Sequence, residues 1–318
     1  MIRIDPVKSA TVAPEYLRLL RLFLMGKQRK SKIQKILGRV SGCKQKLRYV
    51  EKGIISSDFV ALGNPIIIKK DYTSKFGKSV NATFMLLMRK FYNSFFSTAI
   101  KDIDPNHPNK ELKVRTWLAK ELEVTTCPYC NREYVFSRKL ENGRETHPEF
   151  DHFYPKSKYP FLALSFYNLV PSCHTCNHLK LEKELEMNPH FSSFEDKGSR
   201  FVIKRKGLNE NYDPKEDCWM FDPNHAEVKI TNPCNNVDEL GLEEQYNMHT
   251  DVIADIITKA QAYNLTYYES LIESYKGLGK TPEDIYRFIW GGYYNPTDFG
   301  KRPLSKFTKD ILNEIGID

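Results

Sequence analysis

The sequence predicts an α+β protein, in which a mostly helical chain carries a small central module of two strands and a helix. Long segments with apolar residues at helical spacing lie before residue 127 and after residue 237. Between them, two Cys-x-x-Cys pairs enclose residues 131–172. Two short apolar runs inside this enclosure, "PEFDHFYP" and "LSFYNLVP", have the length of strands rather than of helices.

The composition favours a globular protein and argues against membrane and secreted classes. The chain has 318 residues, of which 41% are hydrophobic and 28% are charged, so it can bury a sizeable core. No run approaches the roughly 18 apolar residues of a membrane span, and the N-terminal residues lack the apolar stretch of a secretion signal. We expect a cytoplasmic protein without a membrane partner, in which the seven cysteines are metal ligands or thiols rather than disulfides.

The elements before the central module are predicted from periodicity and from helix breakers. Residues 14–52 are predicted to be helical, with Pro14 at a helix start. The run "FVALGNPIIIKK" is predicted to be a short buried strand or an extended loop, and "SVNATFMLLMRKFYNSFFSTAI" a core helix. The breaker "DIDPNHPNK" sets a boundary. We therefore predict a basic helical region over 1–110, a central module over 111–200 and a helical C-terminal region over 201–318.

The positive charge is concentrated near the N-terminus. The net charge is +8, and twelve Lys or Arg residues but one acid, Glu51, lie between Arg18 and Lys52. Such a segment attracts phosphate backbones because it neutralises their charge and releases counterions. The alternative is a solvated helix face without a partner.

The two Cys-x-x-Cys pairs predict a structural zinc site. Two such pairs supply four thiolates in a tetrahedral array, here Cys127, Cys130, Cys173 and Cys176. The 42 residues between the pairs exceed a simple loop, so a further element is inserted there. The alternatives are four unrelated cysteines, or a zinc ligand supplied by His174 or His178. The remaining cysteines, Cys43, Cys218 and Cys234, are predicted to be buried thiols. The alternative for Cys218 and Cys234 is that they act as ligands, although neither has a Cys-x-x-Cys partner.

The residues inside this insertion carry a recognisable order. The pattern D-H-x(n)-N-x-x-P-x-C-x-x-C-N-x-x-K runs from Asp151 to Lys180, and "CPYC" precedes it as an upstream zinc knuckle. This order resembles the zinc-containing branch of the HNH endonucleases, over about residues 120–195. The resemblance implies that residues 111–200 form a zinc-stapled ββα-metal (HNH) nuclease module. Asn177 stands where the family often has His, which we expect to affect metal preference rather than activity.

Phosphodiester hydrolysis explains these residue types. It needs an attacking water, a cation that neutralises developing charge, and stabilisation of the leaving oxygen. We expect His152 to take the proton of the water as general base. Asp151 and Asn177 offer the oxygen ligands that Mg²⁺ or Mn²⁺ takes. Asn168 is expected to act indirectly, by fixing the loop and the tautomer of His152.

Single residues also have simpler interpretations, and further contacts are predicted around the site. Asp151 alone could cap a turn, and Asn177 alone could be a helix N-cap. We expect phosphate contacts from Lys156, Lys158 and Lys180, with a plain surface role as the alternative.

The segment that follows the pattern narrows the resemblance. With "NPHFSSFEDKGSRFVI" it looks like the PtuB-type HNH subunits of Septu-type and retron-associated anti-phage defence systems. That resemblance implies an ABC-type ATPase partner, and invading DNA or a host tRNA as target, of which DNA is favoured over RNA. The alternatives are a stand-alone restriction or homing HNH nuclease, a non-catalytic zinc-dependent nucleic-acid-binding protein, or a scaffold within a larger complex.

Overall fold

The computed structural model describes residues 1–25, 62–70, 82–205, 226–262 and 265–317. Within these ranges the chain forms helices and two-stranded antiparallel sheets, which confirms the α+β class. The basic segment 27–48, Cys43 and Cys218 lie outside the described residues. No helix in the described ranges is long and apolar enough to cross a membrane.

The chain folds into two compact units. One, here called the pocket unit, consists of residues 4–124 and 135–185. The other, here called the carboxy-terminal unit, consists of residues 1–3, 125–134 and 186–318. Each unit combines segments that are distant in sequence. The division into three consecutive regions stays a prediction.

The first helix of the pocket unit, α1, runs from Pro6 to Met25. Pro14 therefore lies inside the helix, and the prediction that it starts one was wrong. The buried residues of α1 recur at helical spacing, among them Tyr16, Leu20 and Phe23. This apolar face, rather than the proline, decides where the helix forms.

The next helices of this unit are α2 (Pro65–Lys70), α3 (Ala82–Ser97) and α4 (Val114–Glu121). The helix α2 replaces the strand or extended loop that was predicted for its sequence. Its start is explained locally, since the side-chain oxygen of Asn64 accepts a hydrogen bond from the Ile66 amide at 2.9 Å and Pro65 occupies the first helical position.

Two strands and a helix form the centre of the pocket unit. After a small hairpin of β1 (Arg138–Lys139) and β2 (Glu145–Thr146), β3 (Glu149–His152) pairs antiparallel with β4 (Leu169–Ser172). The helix α5 (His174–Lys180) follows directly and contacts β3. The predicted order of strand, strand and helix is therefore present in the described residues. The N-cap of α5 is Cys173, so the interpretation of Asn177 as an N-cap was wrong.

Aromatic rings hold this hairpin against the helices. The ring of Phe96 in α3 lies 5.6 Å from the ring of Phe150 in β3. Tyr16 of α1 lies 5.5 Å from Phe166, and its hydroxyl donates to the Leu164 carbonyl at 3.0 Å. All four rings are buried. Burying an aromatic side chain contributes about 1.5–3 kcal/mol, so these contacts stabilise the packing of β3 against α3 and of the turn before β4 against α1.

In the described residues, the carboxy-terminal unit consists of helices and one antiparallel strand pair. Its elements are α6 (Phe194–Lys197), β5 (Arg200–Arg205), β6 (Ala226–Thr231), α7 (Asn235–Glu239), α8 (Leu242–Tyr246), α9 (Thr250–Ala262), α10 (Leu265–Lys276), α11 (Pro282–Trp290) and α12 (Ser305–Glu314).

The last helix of the chain covers the free edge of the β5–β6 hairpin. Asp310 and Glu314, four residues apart on α12, accept hydrogen bonds from the amides of Phe201 and Ile203, two residues apart on β5. The two distances are 2.9 Å and 2.8 Å. An uncovered strand edge exposes unpaired amides, and the spacing of the two carboxylates satisfies these two.

Candidate metal centre and active site

Four cysteine sulfurs lie together. The Sγ atoms of Cys127, Cys130, Cys173 and Cys176 are all within 4.8 Å of one another, and all four residues are buried. Four sulfurs bound tetrahedrally to zinc at about 2.3 Å lie about 3.8 Å apart, so this group fits the ion. A cysteine group able to hold a structural metal such as zinc is therefore present, as predicted.

Backbone amides form hydrogen bonds to two of these sulfurs. The amides of Arg132 and Cys176 each donate to a cysteine sulfur at 3.4 Å, on Cys130 and Cys173 respectively. Asn131 makes the turn after the first pair with φ of 52°, a conformation that Asn tolerates better than most residues.

Two histidines and one further cysteine were also considered as ligands or thiols near this group. His174 and His178 are exposed and do not belong to the cysteine group. Cys234 is a buried free thiol outside the group, as predicted.

A separate pocket of 560 Å³ lies within the pocket unit. Three of the residues predicted for catalysis, Asp151, His152 and Asn177, are among the side chains that line it. The full lining consists of Arg89, Phe150, Asp151, His152, Pro155, Lys156, Ser157, Asn177, Leu181 and Glu182. The residues come from α3, β3, α5 and the loops that follow β3 and α5.

Asp151 lines this pocket and is in contact with a lysine. It is 4% exposed, and the Nζ of Lys180 approaches its carboxylate at 3.2 Å. Lys180 is fully buried, and its Nζ also donates to the His152 carbonyl at 2.7 Å. The prediction that Lys180 contacts phosphate was therefore wrong, because this buried side chain makes its contacts inside the protein.

His152 is a buried, neutral imidazole in this arrangement. Its Nε2 lies 3.1 Å from the Ala163 carbonyl. A carbonyl only accepts hydrogen bonds, so Nε2 carries the proton and Nδ1 is the basic nitrogen. Burial, and then the charge of Lys156, lower the pKa of His152 to about 3. The ring also meets the Tyr92 ring edge-on, with 4.6 Å between centroids.

Asn168 does not line the pocket but holds the loop beside it. It is the last residue of a 3-10 turn that precedes β4, and it is fully buried. Its side-chain oxygen accepts from the Tyr154 amide at 2.8 Å, and its Nδ2 donates to the carbonyls of Tyr154 and Leu162, both at 3.1 Å. Asn168 thereby joins the two ends of the loop between β3 and β4. This loop contains Ala163, whose carbonyl accepts the hydrogen bond from His152 Nε2.

Asn177 is oriented by a glutamate for which the sequence analysis predicted no role. The Nδ2 of Asn177 donates to Glu149 at 2.6 Å, and Glu149 also contacts His174 Nδ1 at 3.0 Å. Because a carboxylate binds the amide nitrogen, the amide oxygen of Asn177 is fixed as the remaining acceptor. Among the described residues that oxygen accepts no hydrogen bond. Glu149 precedes Asp151 by two positions on β3, a spacing that puts both on one face of the strand.

The cations around the pocket differ in exposure. Arg89 is exposed, and Lys156 is half-buried with its Nζ 4.6 Å from the centre of the Tyr92 ring. Burial lowers the pKa of Lys156. Lys158 is exposed and does not line the pocket; its Nζ donates to the Glu182 carbonyl at 2.9 Å. Arg89 has no local signal in the sequence, since it belongs to a helix that reaches the pocket only in the folded chain.

Comparison of the chain with protein-family models, with curated proteins and with solved structures found no match.

Proposed function

We propose that this protein is a metal-dependent endonuclease of the HNH type, which hydrolyses phosphodiester bonds in nucleic acid. One observation carries the proposal: Asp151, His152 and Asn177, chosen from the sequence for one reaction, line a single pocket. The positive side chains of Arg89 and Lys156 line it too. These two cations offset the carboxylates of Asp151 and Glu182 in the lining, and they can contact an anionic substrate.

The donor set in the pocket suits a hard cation. A carboxylate and an amide oxygen are ligands that Mg²⁺ and Mn²⁺ take, with water and substrate phosphate completing the shell. Asp151 and Asn177 would hold the ion, and Glu149 keeps the oxygen of Asn177 available for it. The bound ion would supply charge neutralisation at the phosphate.

The imidazole of His152 performs the proton transfer in this proposal. Since Nε2 carries the proton, Nδ1 of the neutral ring has the lone pair. A neutral imidazole can accept the proton of an attacking water. The Ala163 carbonyl keeps the other nitrogen protonated and so fixes the tautomer, while Arg89 and Lys156 orient the phosphate.

The finer assignment rests on the sequence pattern. We propose DNA as the substrate, an ABC-type ATPase as the partner, and anti-phage defence as the setting. Cations at the pocket and a net charge of +8 support a nucleic-acid substrate. A zinc-dependent nucleic-acid-binding protein without catalysis is the alternative, and it would have no need of a histidine and two oxygen donors in one pocket.

The substitution His152→Ala tests the reaction. With Mg²⁺ or Mn²⁺ and plasmid DNA, we expect cleavage to fall by about 10²–10⁴-fold, the usual contribution of a general base. Zinc content should change little, whereas the melting temperature should fall by several degrees, because a buried side chain and its hydrogen bond to Ala163 are lost. Cleavage is therefore compared well below both melting temperatures. His178→Ala, on an exposed histidine of α5 outside the pocket, is the matched control and should cleave like wild type.

Two results would count against the proposal. If His152→Ala cleaved DNA at the wild-type rate, His152 would not be the general base. A wild-type protein that binds DNA, yet cleaves neither plasmid, single-stranded DNA nor tRNA with either ion, would favour the non-catalytic binder.

A further inference from the structure

The turn after α5 contains a leucine in a conformation that leucine rarely adopts. Leu181 has φ of 47° and ψ of −114°. The amide of Lys183 donates to the Lys180 carbonyl at 2.9 Å, which closes a four-residue turn with Leu181 in its second position. These angles lie close to the type II′ values of about +60° and −120°, which glycine favours at that position.

Packing of the Leu181 side chain does little to offset the strain in its backbone. Leu181 is 65% exposed, so its side chain buries little apolar surface. The turn is nevertheless held in place, since Lys158 donates to the Glu182 carbonyl at 2.9 Å and the Leu181 amide donates to the Asn177 carbonyl at 3.2 Å. Residues held in rarely populated backbone conformations cluster at catalytic and binding sites.

The place of this side chain indicates the use. Leu181 lines the same pocket as Asp151, His152 and Asn177. A phosphate held in that pocket by Arg89 and Lys156 brings its neighbouring sugars and bases to the pocket rim. Apolar side chains that meet nucleic acid in this way enter between base pairs and open the stack.

We propose that Leu181 is an apolar wedge that enters the base stack of a DNA duplex beside the phosphate held in the pocket. This inference rests on the proposed function, because it takes the pocket as the site of the scissile phosphate. Opening one base step bends the backbone and exposes that phosphate to the catalytic side chains. The wedge therefore makes duplex DNA, rather than a flexible single strand, the substrate that depends on Leu181.

The test uses Leu181→Gly, which removes the side chain and relieves the turn. We expect its melting temperature to rise by about 2–4 °C. Its cleavage of a fully paired duplex should fall by about 10- to 100-fold. Duplexes with one mismatched pair, placed in turn at each step around the cleavage position, should recover most of the loss at one step. Leu179→Ala, at a leucine of α5 that is 40% exposed and does not line the pocket, should behave like wild type.

A second readout does not need cleavage. The fluorescence of 2-aminopurine in the duplex, measured in Ca²⁺, should rise when wild-type protein binds and stay unchanged with Leu181→Gly at saturation. The wedge would be overturned if wild type and Leu181→Gly cleaved the paired duplex equally, or if Leu181→Gly lost as much activity on mismatched duplexes as on paired ones. The same fluorescence rise with both proteins would also overturn it. So would the absence of duplex binding by wild type. A fluorescence rise without cleavage in Mg²⁺ or Mn²⁺ would leave the wedge standing and count against the proposed nuclease.

Discussion

At Lys180 the fold places a positive charge where solvent does not reach. Its Nζ is shared between the Asp151 carboxylate and the His152 carbonyl, so one lysine holds two consecutive residues of the proposed site. A buried ion pair adds little net stability when it is complete, but it is costly to break, because the remaining charge stays buried without compensation.

Lys180→Met should therefore destabilise the protein by about 3–5 kcal/mol. Urea unfolding without added Mg²⁺ would measure this as a lower midpoint at unchanged slope. Lys110→Met, at an exposed lysine of the same unit, should change stability by no more than about 0.5 kcal/mol. Equal midpoints for Lys180→Met and wild type would show that the pair does not hold the site.

Among the elements, β3 brings together groups that need different surroundings. Consecutive strand residues face opposite sides. Asp151 accordingly meets Lys180 of α5, whereas the His152 ring meets Tyr92 of α3. The carboxylate is thereby paired with a cation, whereas the buried imidazole packs against an aromatic ring, although the two residues are neighbours in sequence.

The contact of α12 with β5 predicts a dependence of stability on pH. Burial raises the pKa of Glu314 from 4.5 to about 7, although its bond to the Ile203 amide opposes this. Between these two values the folded state holds a proton that the unfolded state has released. Stability should therefore fall as the pH rises from about 4.5 to 7 and remain reduced above that window.

Glu314→Gln keeps an acceptor for the Ile203 amide and cannot ionise. It should be more stable than wild type at pH 8 by roughly 1–2 kcal/mol, after allowance for partial exposure, and equal to it near pH 4.5. Thermal unfolding across this range measures the difference. Glu244→Gln, at an exposed glutamate of the same unit, should follow the wild-type curve. A difference that does not vary with pH would exclude ionisation of Glu314 as its cause.

For the whole molecule, the cysteine group joins parts of the chain that have 42 residues between them. A metal bound there contributes its binding energy to folding, because the unfolded chain offers no preformed site. The two strands and the helix that carry the proposed catalytic residues lie in or directly beside the enclosed segment. Loss of the metal is therefore expected to affect the entire site.

Cys176→Ser should lose the zinc that we expect at one ion per chain, and should lower the melting temperature by about 10 °C or more. Elemental analysis and thermal unfolding of freshly purified protein measure both effects. Cys234→Ser, which removes a buried thiol outside the group, should retain its zinc. Wild-type protein that carries no metal would contradict the prediction.

Local patterns were enough to predict the α+β class, the two cysteine pairs and the order of β3, β4 and α5. These features depend on residue type and on spacing over a few positions, which the chain carries before it folds. The burial of Lys180, the bond from Asn177 to Glu149, the approach of Arg89 and the backbone angles of Leu181 were not predictable in this way. Each of them depends on packing between residues that are distant in sequence, or on which side of an element faces the pocket, and both are settled only when the elements come together.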